Sequence, residues 1–397
     1  MRLPDSAWRH WPGMDALLAA LDAEHGKVRF VGGAVRDSLL GIAVQDVDCA
    51  TVFPPEEVMT RLKAADIKVV PTGLKHGTVT AVIDEGRPIE VTTLRRDVST
   101  DGRHAEVEYS EDWEEDAARR DFTINALSAD PLSGEIFDYF GGETDLDARR
   151  VRFIGLPAER IAEDHLRILR FFRFHARFGA GLPNPAGLAA ARKHANSLMA
   201  LSRERIADEL LKTLALPDPG ETVRLMIENG IFAPVLPEIV NANGLTDVIA
   251  REQNFDQSAD PVRRFAALLP PEPDIATSVA TRLKLSRAQR SRLATAAARM
   301  PGDTAQPRAL GYRLGMESAI DRLLLCVTND TVTGDALTHL ITNPPPRFPL
   351  KGGELIAMGM EAGPEVAAKL REIEDIWIAE DFPDETRVRE IARAQVG

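Results

Sequence analysis

"VGGAVRDSLLGIAVQDVDCAT", Val31 to Thr51, sets a double glycine and an arginine ahead of two aspartates spaced D-x-D. Gly32 and Gly33 let the backbone come close to a phosphate, with amides at the start of the following helix as anion donors. Arg36, a turn further on, is placed to pair with a phosphate oxygen. The stretch lacks the G-x-G-x-x-G of a dinucleotide fold and the G-K-[ST] of a Walker loop. Asp46 and Asp48 sharpen the reading. On a strand, residues i and i+2 share a face, so both carboxylates reach one place. Two like charges that close raise each other's proton affinity, and a hard dication such as Mg2+ relieves the conflict. Two ions so held activate an attacking hydroxyl and steady a leaving phosphate. A solvent-facing acidic edge strand is the plain alternative for the D-x-D alone. Glu90 in "PIEVTTLRRD" is the best third carboxylate, because an acid amid β-branched neighbours suits a plain strand poorly. A cross-strand pair with an arginine is its rival explanation.

The chain has 397 residues, enough for two or three domains, and its 44% hydrophobic and 27% charged content is that of a globular protein. No apolar run approaches the ~20 residues of a membrane span, and the first residues lack a secretory pattern. Cys49 and Cys326 stand far apart without C-x-x-C spacing, which points to a reducing cytoplasm rather than a disulfide framework. The formal charge of −13 disfavours nucleic acid as a partner. It is uneven, however. Val151 to Leu214 holds eleven Lys/Arg against six Asp/Glu, leaving about −18 elsewhere. A basic belt on an acidic protein is compatible with RNA binding of steep salt dependence.

The first 155 or so residues read as mixed α/β. "KVRFVGG" and "DVDCATVF" are strands, "RDSLLG" is a short helix, and Pro54-Pro55 open a helix through Ala65. "GTVTAVID" and "PIEVTTL" are β-branched runs split by "EGR", a hairpin. "RRDVSTDGRHAEVEYSEDW" is polar and rich in turn formers and reads as a long mobile loop. From Gly155 onward the apolar spacing is helical, with "LLPPEPD" and "TNPPPRFPLKGG" as connections.

"VGGAVRDSLLG…DVD", "GLKHGTVT", "RRDFTINAL", "GGETDLDARRVR" and "EDHLRILRFFRF" together resemble the bacterial class II CCA-adding enzyme and poly(A) polymerase family. The resemblance is strong over the first 180 residues and continues through "LSRERIADELLKTL" and the tail. It implies an α+β head of the polymerase-β nucleotidyltransferase type, followed by an elongated all-α neck, body and tail. The implied bounds are 1–155 for the head, 156–215 for the neck, 216–300 for the body and 301–397 for the tail. It places Asp46 and Asp48 on the metal pair, with Gly33 and Arg36 on triphosphate contacts. Arg120 matches a nucleotide-contacting arginine, and Asp121 and Asn125 match residues that hold the ribose and its 2′-OH. Asp164 and Arg167 match the pair that reads the incoming base, and Arg170 and Arg173 match further nucleotide contacts. At i and i+3 of one helix, an Asp acceptor beside an Arg fork imitates a Watson–Crick edge. The family's flexible loop, used in switching from CTP to ATP, falls at about Arg95 to Asp112. Phe171, Phe172 and Phe174 read as core, and Glu204 and Arg205 as neck structure, with contact to an RNA backbone the alternative.

The implied reaction is template-independent addition of CCA to the tRNA 3′ end from CTP and ATP, with Mg2+ as cofactor, pyrophosphate as product and no membrane. Poly(A) synthesis or partial (CC- or A-adding) activity is the alternative. From Glu354 onward there are eleven acidic and five basic residues, unlike the basic extension common in poly(A) polymerases, and the retained loop favours the full reaction. A catalytically dead RNA-binding protein would be expected to lose Asp46 or Asp48. An enzyme modifying small molecules would not need the helical tail.

Overall fold

The computed structural model describes residues 2–101, 104–326 and 329–396. Its contacts divide the chain into two compact units, one of residues 1–209 with 228–235, the other of 210–227 with 236–397.

The first unit is built on a seven-stranded mixed sheet. The strands are β1 (Val28–Val31), β2 (Asp48–Thr51), β3 (Lys68–Gly73), β4 (Thr78–Val82), β5 (Pro88–Thr93), β8 (Ser128–Ala129) and β9 (Ile136–Phe137), in the order β3-β4-β5-β2-β1-β8-β9. β2 and β5 run parallel, and the other neighbours are antiparallel. In β1, Val28 and Phe30 are fully buried, and Phe30 meets Trp8 edge-on at 4.7 Å. The expected hairpin of "GTVTAVID" and "PIEVTTL" is β4–β5, with Thr80 opposite Glu90. β3 was hidden by Pro71, which an edge strand tolerates.

Helix α1 is Met14–Ala20, α2 is Gly33–Leu39 and α3 is Pro55–Ala64. α3 carries Glu56 and Glu57 in its first turn and Arg61 and Lys63 in its last, matching the helix dipole at both ends. Asp112 caps α4 (Trp113–Ala118), accepting from the Glu114 amide at 2.8 Å. Next come α5 (Gly142–Asp147), α6 (Pro157–Glu163), α7 (Arg167–Phe178), α8 (Pro185–Lys193) and α9 (Arg203–Leu214). α7 buries Ile168, Leu169, Phe171, Phe172, Phe174 and Phe178, so the three phenylalanines expected in the core are there.

One expectation is corrected. The stretch from Arg95, read as a long mobile loop, forms a two-stranded sheet of β6 (Arg95–Asp101) and β7 (His104–Tyr109), paired from Arg95↔Tyr109 to Asp101↔His104. Gly102 and Arg103 lie outside the described residues. β-branched and aromatic residues interleaved with the charges, on either side of an Asp-Gly pair, are a hairpin signal that the high polarity masked. The base of the hairpin is tied down: Arg95 donates to the His76 carbonyl at 2.6 Å, and the Ser110 amide to the Leu94 carbonyl at 2.9 Å.

Among the described residues of the second unit the regular elements are all helices, from Gly220–Glu228 to Glu385–Val396. Part of its interior is ionic. Glu252 accepts from Arg263 at 2.7 Å and Arg264 at 2.7 Å, and Asp321 from Arg263 at 2.9 Å and Arg292 at 2.6 Å. A separate core forms around buried Trp377, with Phe382 edge-on at 4.8 Å and Phe348 at 5.1 Å.

"GGETDLDARRVR" is a brace for the segment Asp121 to Asn125. Asp145, fully buried, accepts from Thr123 Oγ1 at 2.6 Å, Arg150 at 2.7 Å and Arg152 at 2.8 Å. A Cβ on Gly142 would stand 2.4 Å from the Thr123 carbonyl oxygen. Gly142→Ala is therefore expected to lower stability by on the order of 1–3 kcal/mol, read as a drop in thermal midpoint; an unchanged midpoint would mean that α5 does not seat this turn.

Candidate nucleotide and metal site

The site begins where β1 ends. Gly32 has φ +66 and ψ −120, and a Cβ there would lie 3.1 Å from Arg120 Nη1. Only glycine lets the chain turn there with the guanidinium so close. Val31, just before the turn, pairs in register with Asp48, and Asp48 pairs on its other side with Glu90. Neighbouring strands lie about 4.8 Å apart, and paired residues share a face, so Asp48 and Glu90 stand side by side. The arginine rival for Glu90 is not its register neighbour on either strand; Asp48 and Thr80 are.

Asp46 departs from expectation. It lies just before β2, which starts at Asp48, and is exposed, with buried Val47 between them. The two carboxylates still sense each other. Burial, Glu90 and Asp46 together push Asp48 up to about 6 against the pull of Arg120. Burial and like charges both favour the protonated carboxyl. Among the described residues no three Asp, Glu, His or Cys side chains form a ready-made metal cage. The donors fit a hard dication completed by a triphosphate.

Behind the sheet end runs a chain of buried polar groups. Arg36 is 6% exposed. It binds Asp37 through Nε at 2.7 Å and donates through Nη1 to Asn125 Oδ1, with its guanidinium 4.1 Å from the Phe178 ring. Asn125 donates to Asp121 Oδ1 at 2.8 Å, which also accepts from the Phe122 amide at 2.9 Å. Arg170 donates to Asp121 Oδ2 at 2.8 Å. Burial alone would raise Asp121; Arg170, Asn125 and the amide hold it below the usual carboxylate range. Arg173 donates to buried Glu209 at 2.6 Å, and Arg177 to Asp37 at 3.2 Å. Arg170, Arg173 and Arg177 share one face of α7. Arg120 donates to Asp116 at 3.0 Å.

The expected placement of Asp164 and Arg167 on one helix is also corrected. Asp164 is not on a helix with Arg167. It sits extended (φ −148, ψ 107) between α6 and α7, and its Oδ1 accepts from the Leu166 amide at 3.0 Å, a local bond that competes with helix. Asp164 Oδ2 accepts from Arg205 at 2.7 Å. Arg167 binds Glu163 and donates to the Arg119 carbonyl at 3.1 Å.

The structure thus brings together Gly32, Asp48, Glu90 and Arg120 at the sheet end, and Arg36, Asn125, Asp121, Arg170 and Arg173 in the buried chain. Gly33 opens α2 beside Arg36. Sequence reasoning missed Asp37, Asp116, Arg177 and Glu209. Asp37 adjoins Arg36, Arg177 continues the helical spacing of Arg170 and Arg173, and Glu209 lies in a motif read only for its start. The basic belt is largely spent: Arg160, Arg167, Arg170, Arg173, Arg177 and Arg205 are all in ion pairs. Arg192 and Lys193 of α8 are exposed, lining an open groove with Pro185 and Leu188.

Comparison with known proteins agrees in kind. The family described as "Poly A polymerase head domain" matches residues 28–152, and "Probable RNA and SrmB- binding site of polymerase A" matches 184–243. The mitochondrial CCA tRNA nucleotidyltransferase 1 of Danio rerio is 36% identical over 377 residues, covering 92% of this chain and 86% of that protein. A CCA-adding enzyme of Geobacillus kaustophilus is 42% identical over 212 residues, 53% of this chain and 51% of that one. The structure superposes on a Bacillus stearothermophilus CCA-adding enzyme in complex with CTP with a TM-score of 0.75 at 28% identity, covering 97% of this chain and 98% of that one.

Because Asp48 is held near 6 rather than 3.8, its ionised form destabilises the metal-free fold. That cost is absent below about pH 4, grows as pH rises through about 6, and levels off above it at about 3 kcal/mol. Asp48→Asn is expected to raise the metal-free thermal midpoint at about pH 8 and leave it unchanged at about pH 4; an equal gain at both would contradict the placement of these charges.

Proposed function

This chain belongs to the CCA tRNA nucleotidyltransferase family, and we propose that it adds CCA to the 3′ end of tRNA from CTP and ATP, releasing pyrophosphate. The observation that carries the reading is the register of β1, β2 and β5, which sets Asp48 beside Glu90 at the mouth of the Gly32 turn.

In this reading the terminal ribose hydroxyl attacks the α-phosphate of the bound nucleotide, the bond to the β-phosphate oxygen breaks, and pyrophosphate leaves. Asp46 and Asp48 would hold the metal ions, with Glu90 supporting Asp48. When bound, Mg2+ lowers the hydroxyl's pKa and balances the charge on the reacting phosphates. The backbone at Gly32-Gly33 and the Arg120 guanidinium face the triphosphate. Arg36 is too committed to swing out freely; it fixes Asn125, which with Asp121 presents oxygen and nitrogen to the ribose. Arg170 keeps Asp121 ionised and so an acceptor.

Asp164 and Arg167 read the base by exchanging partners. The Asp164–Arg205 pair is partly exposed, at 34% and 48%, and such pairs are worth roughly 0–1 kcal/mol. An incoming cytosine or adenine edge displaces Arg205 from Asp164 at little cost, whereas Arg167 must release Glu163 and the Arg119 carbonyl. The chain needs no nucleic-acid template for that choice, since acceptor and donor come from its own side chains. Arg192 and Lys193 supply exposed positive charge for the RNA. Cys49 and Cys326 are both buried and free, in keeping with a cytoplasmic setting. Among the described residues no helix is long and apolar enough to cross a membrane.

Single-nucleotide incorporation tests this. With Mg2+, tRNA lacking CCA should gain two C residues from CTP and then one A from ATP. ATP-only tails on oligo(A) would instead make the protein a poly(A) polymerase. Asp48→Asn should lower kcat by on the order of 10²–10³.

A further inference from the structure

Arg29 of β1 stands apart from the groups above. Val28 and Phe30 are buried on one side of the strand, so Arg29 and Val31 project from the other. That is the face of Asp48, Ala50 and Glu90, since Val31 pairs with Asp48 and Arg29 with Ala50. Val31, Ala50 and Leu94 form a small apolar cluster there, and Trp113 packs on it. The same row continues from Val31 through Ser128 to Phe137. Three inter-strand gaps separate Asp48 from Phe137, about 14 Å.

The Arg29 guanidinium is fixed between these parts. Its carbon is 4.1 Å from the Trp113 ring centroid and 3.5 Å from that of Phe137, and Nη1 donates to the Tyr139 hydroxyl at 3.1 Å. Among the described residues no carboxylate pairs with it. Arg36, Arg120, Arg167, Arg170 and Arg173 are all committed to acids; Arg29 is partly exposed with most of its five N–H donors uncommitted. Two rings hold it at low entropic cost.

We propose that Arg29 binds a phosphate of the acceptor RNA strand, behind the 3′-terminal nucleotide that reacts at Asp48. The inference rests on the nucleotidyl-transfer reading above. In-line displacement puts the attacking and leaving oxygens on opposite sides of the phosphorus. Gly32 and Arg120, which face the triphosphate, lie beyond the C-terminal end of β1. Arg29 lies toward its other end, and Val31, the register partner of Asp48, is between them. A strand delivering its hydroxyl to Asp48 from the side away from the triphosphate passes Arg29. An unpaired, pre-oriented guanidinium complements its phosphates.

The experiment measures binding of labelled tRNA lacking CCA to the full chain, without nucleotide, across a salt series. Arg29→Ala and Arg29→Gln, the second keeping a polar stem against the rings, should each weaken binding about tenfold. Each should also make the slope of log affinity against log salt shallower by about 0.7–0.9, the loss of one phosphate contact. The KM for CTP should not move. A wild-type slope in both variants, or a parallel rise in the KM for CTP with a lowered thermal midpoint, would overturn the proposal and leave Arg29 a structural clamp. If the wild type adds no nucleotide yet its RNA binding shows the Arg29-dependent slope, the transfer reading fails and the RNA subsite stands. With incorporation intact and the slope unchanged, the subsite alone fails.

Discussion

Asp121 accepts from Asn125 and the Phe122 amide on one oxygen and from Arg170 on the other, and these bonds tie the head to α7. A buried carboxylate without such partners would sit neutral, or cost several kcal/mol to keep charged. With them it is ionised and fixed in direction. Arg36 reaches Asn125 from α2, and Arg177 returns from α7 to Asp37, so the chain of bonds closes on itself. Each member holds its neighbour's rotamer. Removing one leaves a buried charge unpaired, which makes the arrangement stiff as well as stable.

That stiffness contrasts with what lies in front of it. Burial first, and then the charges of Glu90 and Asp46, raise the proton affinity of Asp48. Asp164 and Arg205 form a half-exposed pair that is cheap to exchange. The groups that would hold ribose are thus locked, whereas Asp48, which would meet metal, is left electrostatically unsatisfied and Asp164, which would meet the base, is loosely paired. A template-independent polymerase needs this division: one frame for every nucleotide, and a reader able to rearrange.

Local chemistry was legible in the sequence because it is written in short intervals. The Gly32-Gly33 turn, the strand carrying Asp48, the Pro54-Pro55 helix start and the β4–β5 hairpin needed only spacing and residue type, whereas Asp46 falls outside the strand. Glu90 stood out as a misfit in a strand, and the register sets it beside Asp48. Pairings across long intervals were not legible: Glu209 with Arg173, Arg177 with Asp37, Arg205 with Asp164. Ion pairs of that kind depend on how helices pack, not on which residues adjoin. The hairpin β6–β7 was misread because its charges masked a strand pattern, and Asp164 because a side-chain bond to the Leu166 amide breaks the helix that its spacing suggested.

The most direct test is a crystal structure of the protein with CTP and Mn2+. The account predicts anomalous metal density at Asp46 and Asp48 beside Glu90, the triphosphate along Gly32-Gly33 and Arg120, and the cytosine edge against Asp164 and Arg167. Metal away from Asp48, or a nucleotide bound with its phosphates remote from the Gly32 turn, would contradict it.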